Sequence, residues 1–364
     1  MKPLLTRIDE ELAVCADPYR RAELLGERGC YLARIGDFAS ARQHLLEIRS
    51  SLEVSTRERV AVRVMLLEGL LFFFDGLSVQ CRDRVLRAHA IGHLSGQGDL
   101  ARLTAAWLAH IDFNLNRFDD AARMIQYALR APSEIADAAT FRARLVLADL
   151  SMLSGRVEAA KQLYDLARRG AVEGGDDSTI AAIFFNRATM LLNQSRIGAI
   201  LGEGSAVSQR FLELEFRSIE LYHRASGQTS LPHLLDLLSA MILLEAGNFR
   251  EAAEKYRRVL NAGPALTIGA DDAIPALELA LCLISLNELD EAKGIIEAIE
   301  RMPKVARPLD DLLIIAGLKH RIGATHGVLI NIDDQCDALQ SSIQKFREQQ
   351  AELRRMVDDI KIDF

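Results

Sequence analysis

Residues that stiffen, break or cross-link a chain are scarce in this sequence. It has 8 prolines in 364 residues, so long stretches are free to run as uninterrupted helix. The five cysteines, Cys15, Cys30, Cys81, Cys282 and Cys336, are odd in number, widely spaced and contain no Cys-x-x-Cys pair. Neither a disulfide framework nor a zinc cluster follows from that spacing, and a reducing cytoplasm fits it best. No apolar run approaches the ~20 residues of a membrane span. Asp9, Glu10 and Glu11 stand where a signal peptide would need an apolar centre, so no leader and no membrane partner are expected. A net charge of -7 argues against a general nucleic-acid binder, whose affinity comes largely from lysine and arginine neutralising phosphates.

What the sequence does contain is helical. Hydrophobic residues make up 49% and charged residues 26%, a composition with enough apolar material for a core and too little polarity for disorder. Around Gly247, apolar residues recur at three- and four-residue steps on both sides: Leu234, Leu237, Leu238, Met241 and Leu244 before it, Ala252, Tyr256, Val259 and Leu260 after it. Two amphipathic helices therefore meet at a glycine, which closes a helix in the left-handed conformation at little steric cost.

The same unit recurs. Aligned turns fall at Gly36, Gly76, Asn116, Gly155, Ser195, Gly247 and Asn287, with steps of 40, 40, 39, 40, 52 and 40 residues. Only Ser195 departs from Gly or Asn. Seven residues before each turn stands a small residue: Gly29, Gly69, Ala109, Ala148, Ala188, Ala240 and Ala280. Five residues after it come Ala41, Cys81, Ala121, Ala160, Ala252 and Ala292, with Ile200 in the fifth unit. Four positions further, Leu45, Val85, Ile125, Tyr164, Tyr256 and Ile296 supply bulk beside the close backbone approach that small residues permit. Three registers in phase indicate a repeat array with one continuous core.

The pattern resembles the tetratricopeptide repeat over roughly residues 20 to 300. The match is closest in Gly247-Asn248-Phe249-Arg250-Glu251-Ala252 with Tyr256 and Pro264, and in Gly29 with Gly36-Asp37-Phe38-Ala39-Ser40-Ala41. The usual unit of that family is 34 residues, so the ~40-residue period is long by about one and a half helical turns. Units of this length are similar to the helical-repeat sensor regions of some bacterial signalling proteins, among them large LuxR-type activators and some diguanylate cyclases. The resemblance implies an all-α, right-handed superhelical solenoid whose first helices line a concave groove.

The expected organisation is a repeat array over 1–302, of about seven helix pairs with an insertion near 195–205, followed by a C-terminal helical segment over 303–364. The long step is expected to be a longer loop between the two helices of unit five, or a lip over the groove. Pro303 and Pro308 interrupt the helices, and Asp310 or Asp311 can cap the next one. A helix over 328–362 then carries a heptad seam: Leu339, Ile343, Phe346, Gln350, Leu353, Val357 and Ile360. It either caps the last repeat or makes a two-stranded coiled coil and hence a homodimer.

Motifs for chemistry are sparse. His89 and His93, at i and i+4, have no third ligand nearby, and His320 and His326 straddle a helix end; neither pair predicts a metal. Asp119-Asp120, Asp176-Asp177, Asp271-Asp272 and Asp310-Asp311 fall at helix starts, where they complement the helix dipole. No nucleophile elbow, P-loop or dinucleotide fingerprint appears, so no enzyme activity, cofactor or metal is expected.

If the repeat geometry holds, the groove is lined by Arg63, Phe73, Phe74, His110, Phe113, Asn114, Arg142, Asp149, Thr189 and Asn193, aromatic surface with placed hydrogen-bonding groups. The alternative is that several of these phenylalanines are buried between neighbouring repeats, and for any one residue a core position is the stronger expectation. The expected function is a protein- or peptide-binding scaffold or sensor in bacterial-type intracellular signalling. The alternative is a regulatory subunit that controls a separate output partner, a transcription factor or nucleotide cyclase, through its C-terminal helix.

Overall fold

The computed structural model describes residues 3–51, 57–74, 80–130, 137–203, 208–225, 232–261, 273–301, 308–325 and 332–360. Among them lie seventeen α-helices and no strand. In chain order they are α1 (Leu4–Val14), α2 (Pro18–Ile35), α3 (Phe38–Ser51), α4 (Glu58–Phe74), α5 (Gln80–Leu94), α6 (Gly98–Asn114), α7 (Phe118–Leu129), α8 (Ala138–Leu153) and α9 (Val157–Gly174). Then follow α10 (Asp177–Leu201), α11 (Gln209–Ala225), α12 (Pro232–Glu245), α13 (Phe249–Asn261), α14 (Ala273–Ser285), α15 (Leu289–Arg301), α16 (Leu309–Thr325) and α17 (Ile332–Asp359).

The turn register is what makes these helices pairs. Gly36, Asn116, Gly155, Gly247 and Asn287 all have positive φ, from 57° to 89°. Each closes its helix with the same two backbone bonds. At Gly247, for example, its own N–H donates to the carbonyl of Leu244 at 3.0 Å and the next N–H, of Asn248, to that of Leu243 at 2.9 Å. That geometry satisfies carbonyls a helix end would otherwise leave bare, and it needs the left-handed residue to do so. Gly76, Pro264, Asp271, Asp272, Pro303 and His326 lie outside the described residues.

Ser195 is not a turn. α10 runs through it without a break, because Leu191, Leu192 and Ile197 carry the buried face onward and nothing at 195 favours leaving the helix. The break comes at Gly202, with φ 74°, whose N–H and that of Glu203 repeat the double bond to Ala199 and Gly198. Most of the additional residues thus lengthen a helix rather than form a loop; 204–207 lie outside the described residues.

Small residues sit where helices touch. Ala109, Ala148, Ala240 and Ala280 on first helices, and Ala41, Ala121, Ala160, Ala252 and Ala292 on second helices, are fully buried. At Gly69 a β-carbon would stand 2.4 Å from Val85 Cγ2 and 3.2 Å from the Cys81 carbonyl, so α4 and α5 pack here at a distance only glycine allows.

By Cα clustering the chain divides into two compact units. The first comprises Met1–Arg187, Tyr222–Ser230 and Arg354–Phe364; the second comprises Ala188–Leu221 and Leu231–Leu353. Within the first unit, α1 through α9 pack each on the next, and first helices also pack on first helices, α2 on α4 and α6 on α8. Within the second, α12, α13, α14 and α15 repeat that scheme and α16 packs on α14. The same tyrosine position serves as a buried polar anchor in both. Tyr164 OH donates to Asp149 Oδ1 at 2.6 Å, and Asn186 donates to the other oxygen at 2.8 Å, inside the first unit. Tyr256 OH donates to Glu278 at 2.8 Å inside the second, where Arg196 pairs with the other oxygen of the same carboxylate.

Candidate functional site

In the first unit, successive first helices deliver polar and aromatic side chains to one cluster. α6 contributes Trp107 and His110, three residues apart and hence on one face. α4 contributes Phe73 and Phe74: Phe73 meets Phe74 edge-on at 5.0 Å and His110 at 5.4 Å, and Phe74 meets Trp107 at 6.0 Å. α8 contributes Arg142, whose guanidinium lies over the Trp107 ring, 3.6 Å from its centroid. α2 contributes Tyr31 and Arg34, with the Arg34 guanidinium 5.7 Å from the Tyr31 ring and 6.0 Å from Trp107.

The start of α10 completes the set. Asp176 caps the helix by accepting the Thr179 N–H at 3.0 Å, the role its place in the sequence predicts. It also forms an ion pair with Arg34 across 142 residues of chain. Thr179 Oγ1 accepts from Arg34 at 2.7 Å and from Arg142 at 2.8 Å while donating to Asp176 Oδ2 at 2.9 Å. Beside this clasp, the Leu4 N–H donates to the Gly175 carbonyl and Arg7 donates to that of Gly174, so α1 is fixed to the end of α9. Tyr222 OH donates to Asp177 Oδ1 at 2.8 Å.

Burial sets the electrostatics. It would raise the Asp176 carboxyl, but the charge and hydrogen bond of Arg34, then the charge of Arg142, outweigh it and hold the group below its usual range. Burial pushes Tyr31 up to about 12, with Asp176 adding to the effect. Burial pushes His110 down to about 3, with Arg142 adding to that, so the imidazole is neutral; its Nδ1 is buried without a hydrogen-bond partner. Arg142, only 3% exposed, is lowered first by burial and then by the charge of Arg34.

Of the residues the sequence assigns to a groove, Phe73, Phe74, His110 and Arg142 come together here. The others serve elsewhere. Asp149 is inside the core with Tyr164 and Asn186, burial raising its carboxyl to about 7. Arg63 pairs with Glu27 at 3.0 Å. Phe113 packs on Phe118 of its own helix pair at 5.9 Å, and Asn114 donates to the carbonyl of His110 at 2.8 Å, one turn back in its own helix. Thr189 and Asn193 are half-buried in the second unit. Trp107, Tyr31, Asp176 and Thr179 are cluster members that the repeat arithmetic passes over. Trp107 lies two residues before Ala109, a register that the arithmetic does not assign to the groove; its being the sole tryptophan is the signal that points to it.

His89 and His93 stack at 6.2 Å, His89 Nδ1 bonding the Ala101 carbonyl and His93 Nδ1 the Tyr127 hydroxyl. Among the described residues no group of three or more His, Cys, Asp or Glu is arranged to hold a metal, and no helix is long and apolar enough to cross a membrane. Phe346, Leu353 and Val357 on α17 and Ile360 just after it are buried within the single chain, and Leu339, Ile343 and Gln350 are partly buried. Inside the first unit, Asp358 of α17 pairs with Arg156 at the start of α9.

Comparison with known proteins gives two findings. The family profile of the tetratricopeptide repeat matches residues 108–174, which span the turns at Asn116 and Gly155, and 237–302, which span those at Gly247 and Asn287. The fold is similar to a solved structure, the crystal structure of a Rap protein complexed with competence and sporulation factor. Identity is 13% over 98% of this chain and 92% of that one, with a TM-score of 0.52, a likeness of fold alone. A search of curated protein sequences gave no match.

Proposed function

We propose that this chain, an all-α protein built of tetratricopeptide repeats, is an interaction scaffold of intracellular signalling that takes up a peptide or extended segment of a partner on the first-helix face of its first unit. The observation that carries this reading is the cluster itself. α2, α4, α6, α8 and α10 each give side chains to one place, and aromatic anchors with a few fixed polar groups are what a peptide site requires. Phe74 and His110 are only half-buried and offer contact surface, whereas Arg142 and Trp107 form the floor. The solved relative is a complex with a named factor, which supports the same use of the fold.

The test is capture by the full-length chain carrying Phe74→Ser, at a half-buried position whose change leaves the helix-pair core intact. Partner recovery should fall about tenfold or more with Phe74→Ser, the usual scale for an aromatic anchor. Recovery of the same partners in the same amounts, with thermal melting unchanged, would remove the site from this face.

A further inference from the structure

We propose that α11 carries a docking surface of its own, an exposed apolar row flanked by arginine, whose occupant is an amphipathic helix of a partner protein with acidic residues beside its apolar face. The row lies in the second unit, and the inference does not rest on the reading of the first.

A helix of a soluble array has one apolar face to bury, and α11 buries Leu212 and Ile219, seven residues apart and 3% and 0% exposed. It also has a second apolar row. Phe211, Leu214 and Leu221 are 41%, 54% and 64% exposed. At 3.6 residues per turn these three share a face about 140° around the helix from the buried pair. Among the described residues α7, α13 and α15 leave no large apolar side chain exposed, so such a row is not the rule in this chain. The three side chains together offer on the order of 300 Å² of apolar surface, the size of the largest patch on a typical monomer and often a functional one.

The row has the form that seats a helix. Ser218 falls between Leu214 and Leu221, and its hydroxyl donates back to the Leu214 carbonyl at 2.9 Å, so it can be covered without losing a hydrogen bond to water. Phe211, Leu214, Ser218 and Leu221 thus follow the alternating three- and four-residue step of helix-on-helix packing, with a small residue in the middle where a partner backbone can come close.

Charge selects the partner. Arg210 and Arg217 run along one flank of the row, both exposed and, among the described residues, in no ion pair. Glu215, on the other flank, is already engaged within the chain, as is Glu213. A helix lying on the row therefore meets two unpaired guanidiniums one heptad apart, which favour an acidic flank on the occupant and oppose a basic one. An anionic lipid surface would instead meet α11 as a whole, where Glu213, Glu215 and Glu220 balance Arg210, Arg217 and Arg224 and leave no net attraction.

The test uses the unaltered full-length chain and three fluorescein-labelled helical peptides of about 20 residues, long enough to hold helical structure. One has leucines at heptad a and d positions with glutamates beside them, one the same leucines with lysines, and one the glutamates with serines in place of leucines. Fluorescence anisotropy should show saturable binding of the first, about tenfold or more tighter than either of the others. Leu214→Ser with Leu221→Ser should weaken it about tenfold or more with thermal melting unchanged, since both leucines are exposed, and Phe74→Ser should leave it as it is. Equal affinity for the glutamate and lysine peptides overturns the acidic partner, and no binding of either overturns the surface. Loss with Phe74→Ser but not with the leucine pair overturns the assignment to α11 and supports the site of the first unit instead. A dimer in light scattering, or binding to phosphatidylglycerol vesicles, that the leucine pair abolishes would give the row to a second copy or to a membrane and overturn the partner helix.

Discussion

Asp149 gives the sharpest quantitative test of the interior. Its side chain is fully buried, accepts from Tyr164 and Asn186, and titrates at about 7 against an ordinary 3.8, with burial as the leading cause. Between those two values the native state holds a proton that the unfolded chain has released. Stability from this group is therefore present at low pH and is lost as pH rises through the folded value. Going from about pH 4.5 to about pH 8, the loss is about 3 kcal/mol at 1.36 kcal/mol per pH unit. Asp149→Asn has no such titration. Urea unfolding should be followed by Trp107 fluorescence, because that residue lies in the same unit and long repeat arrays do not melt as one cooperative block. The stability difference between the unaltered chain and Asp149→Asn should shift by about 3 kcal/mol across that range, against the unaltered chain as pH rises. A difference constant to within about 0.5 kcal/mol, the usual precision of such comparisons, would mean that Asp149 titrates as an ordinary carboxylate and that the Tyr164–Asn186 pair fully stabilises its charge.

Three further outcomes follow from packing and charge. Gly247→Ala should cost about 1 kcal/mol in urea unfolding, because φ of 76° strains any β-carbon, whereas Gly247→Asn should cost a few tenths; asparagine already fills the same place at Asn116 and Asn287. Arg196→Ala leaves Glu278 buried and uncompensated and should destabilise the second unit by about 3–5 kcal/mol; Arg196→Ala with Glu278→Gln should recover a large part of it, as read by thermal melting. Light scattering of the full chain should give the monomer mass, since Phe346, Leu353, Val357 and Ile360 are already covered in one chain; a concentration-dependent dimer would show that α17 can leave its seat and pair along its heptad seam.

The parts of this molecule legible in the sequence are those fixed by local backbone chemistry. A left-handed residue every ~40 positions marks a helix end whatever surrounds it, so residue type and spacing alone locate Gly36, Asn116, Gly155, Gly247 and Asn287. Ser195 misleads because alignment by spacing assumes constant helix length, while the true cap, Gly202, waits seven residues further on. The site is legible only in part, for a different reason. Which face of a first helix looks inward follows from the repeat, and it brings out Phe73, Phe74, His110 and Arg142. Which residues meet across the unit depends on how the array curves: Arg34 reaches Asp176 and Thr179 over 142 and 145 residues, a distance no helical period encodes.

The two units accommodate a buried arginine in different ways. Arg196 has a carboxylate of its own in Glu278, whose other oxygen is held by Tyr256, so all three polar groups are satisfied within the chain. Such a triad serves the fold, and removing one member leaves the others without a partner. Arg142 is instead held by a neutral hydroxyl and an aromatic face, while the nearby carboxylate is engaged by Arg34. A cation–π contact contributes on the order of 2 kcal/mol when desolvated, below the several kcal/mol that burying a charge costs. The rest is met by Asp176, whose charge acts on Arg142 as well as on Arg34, and by the packing of the unit.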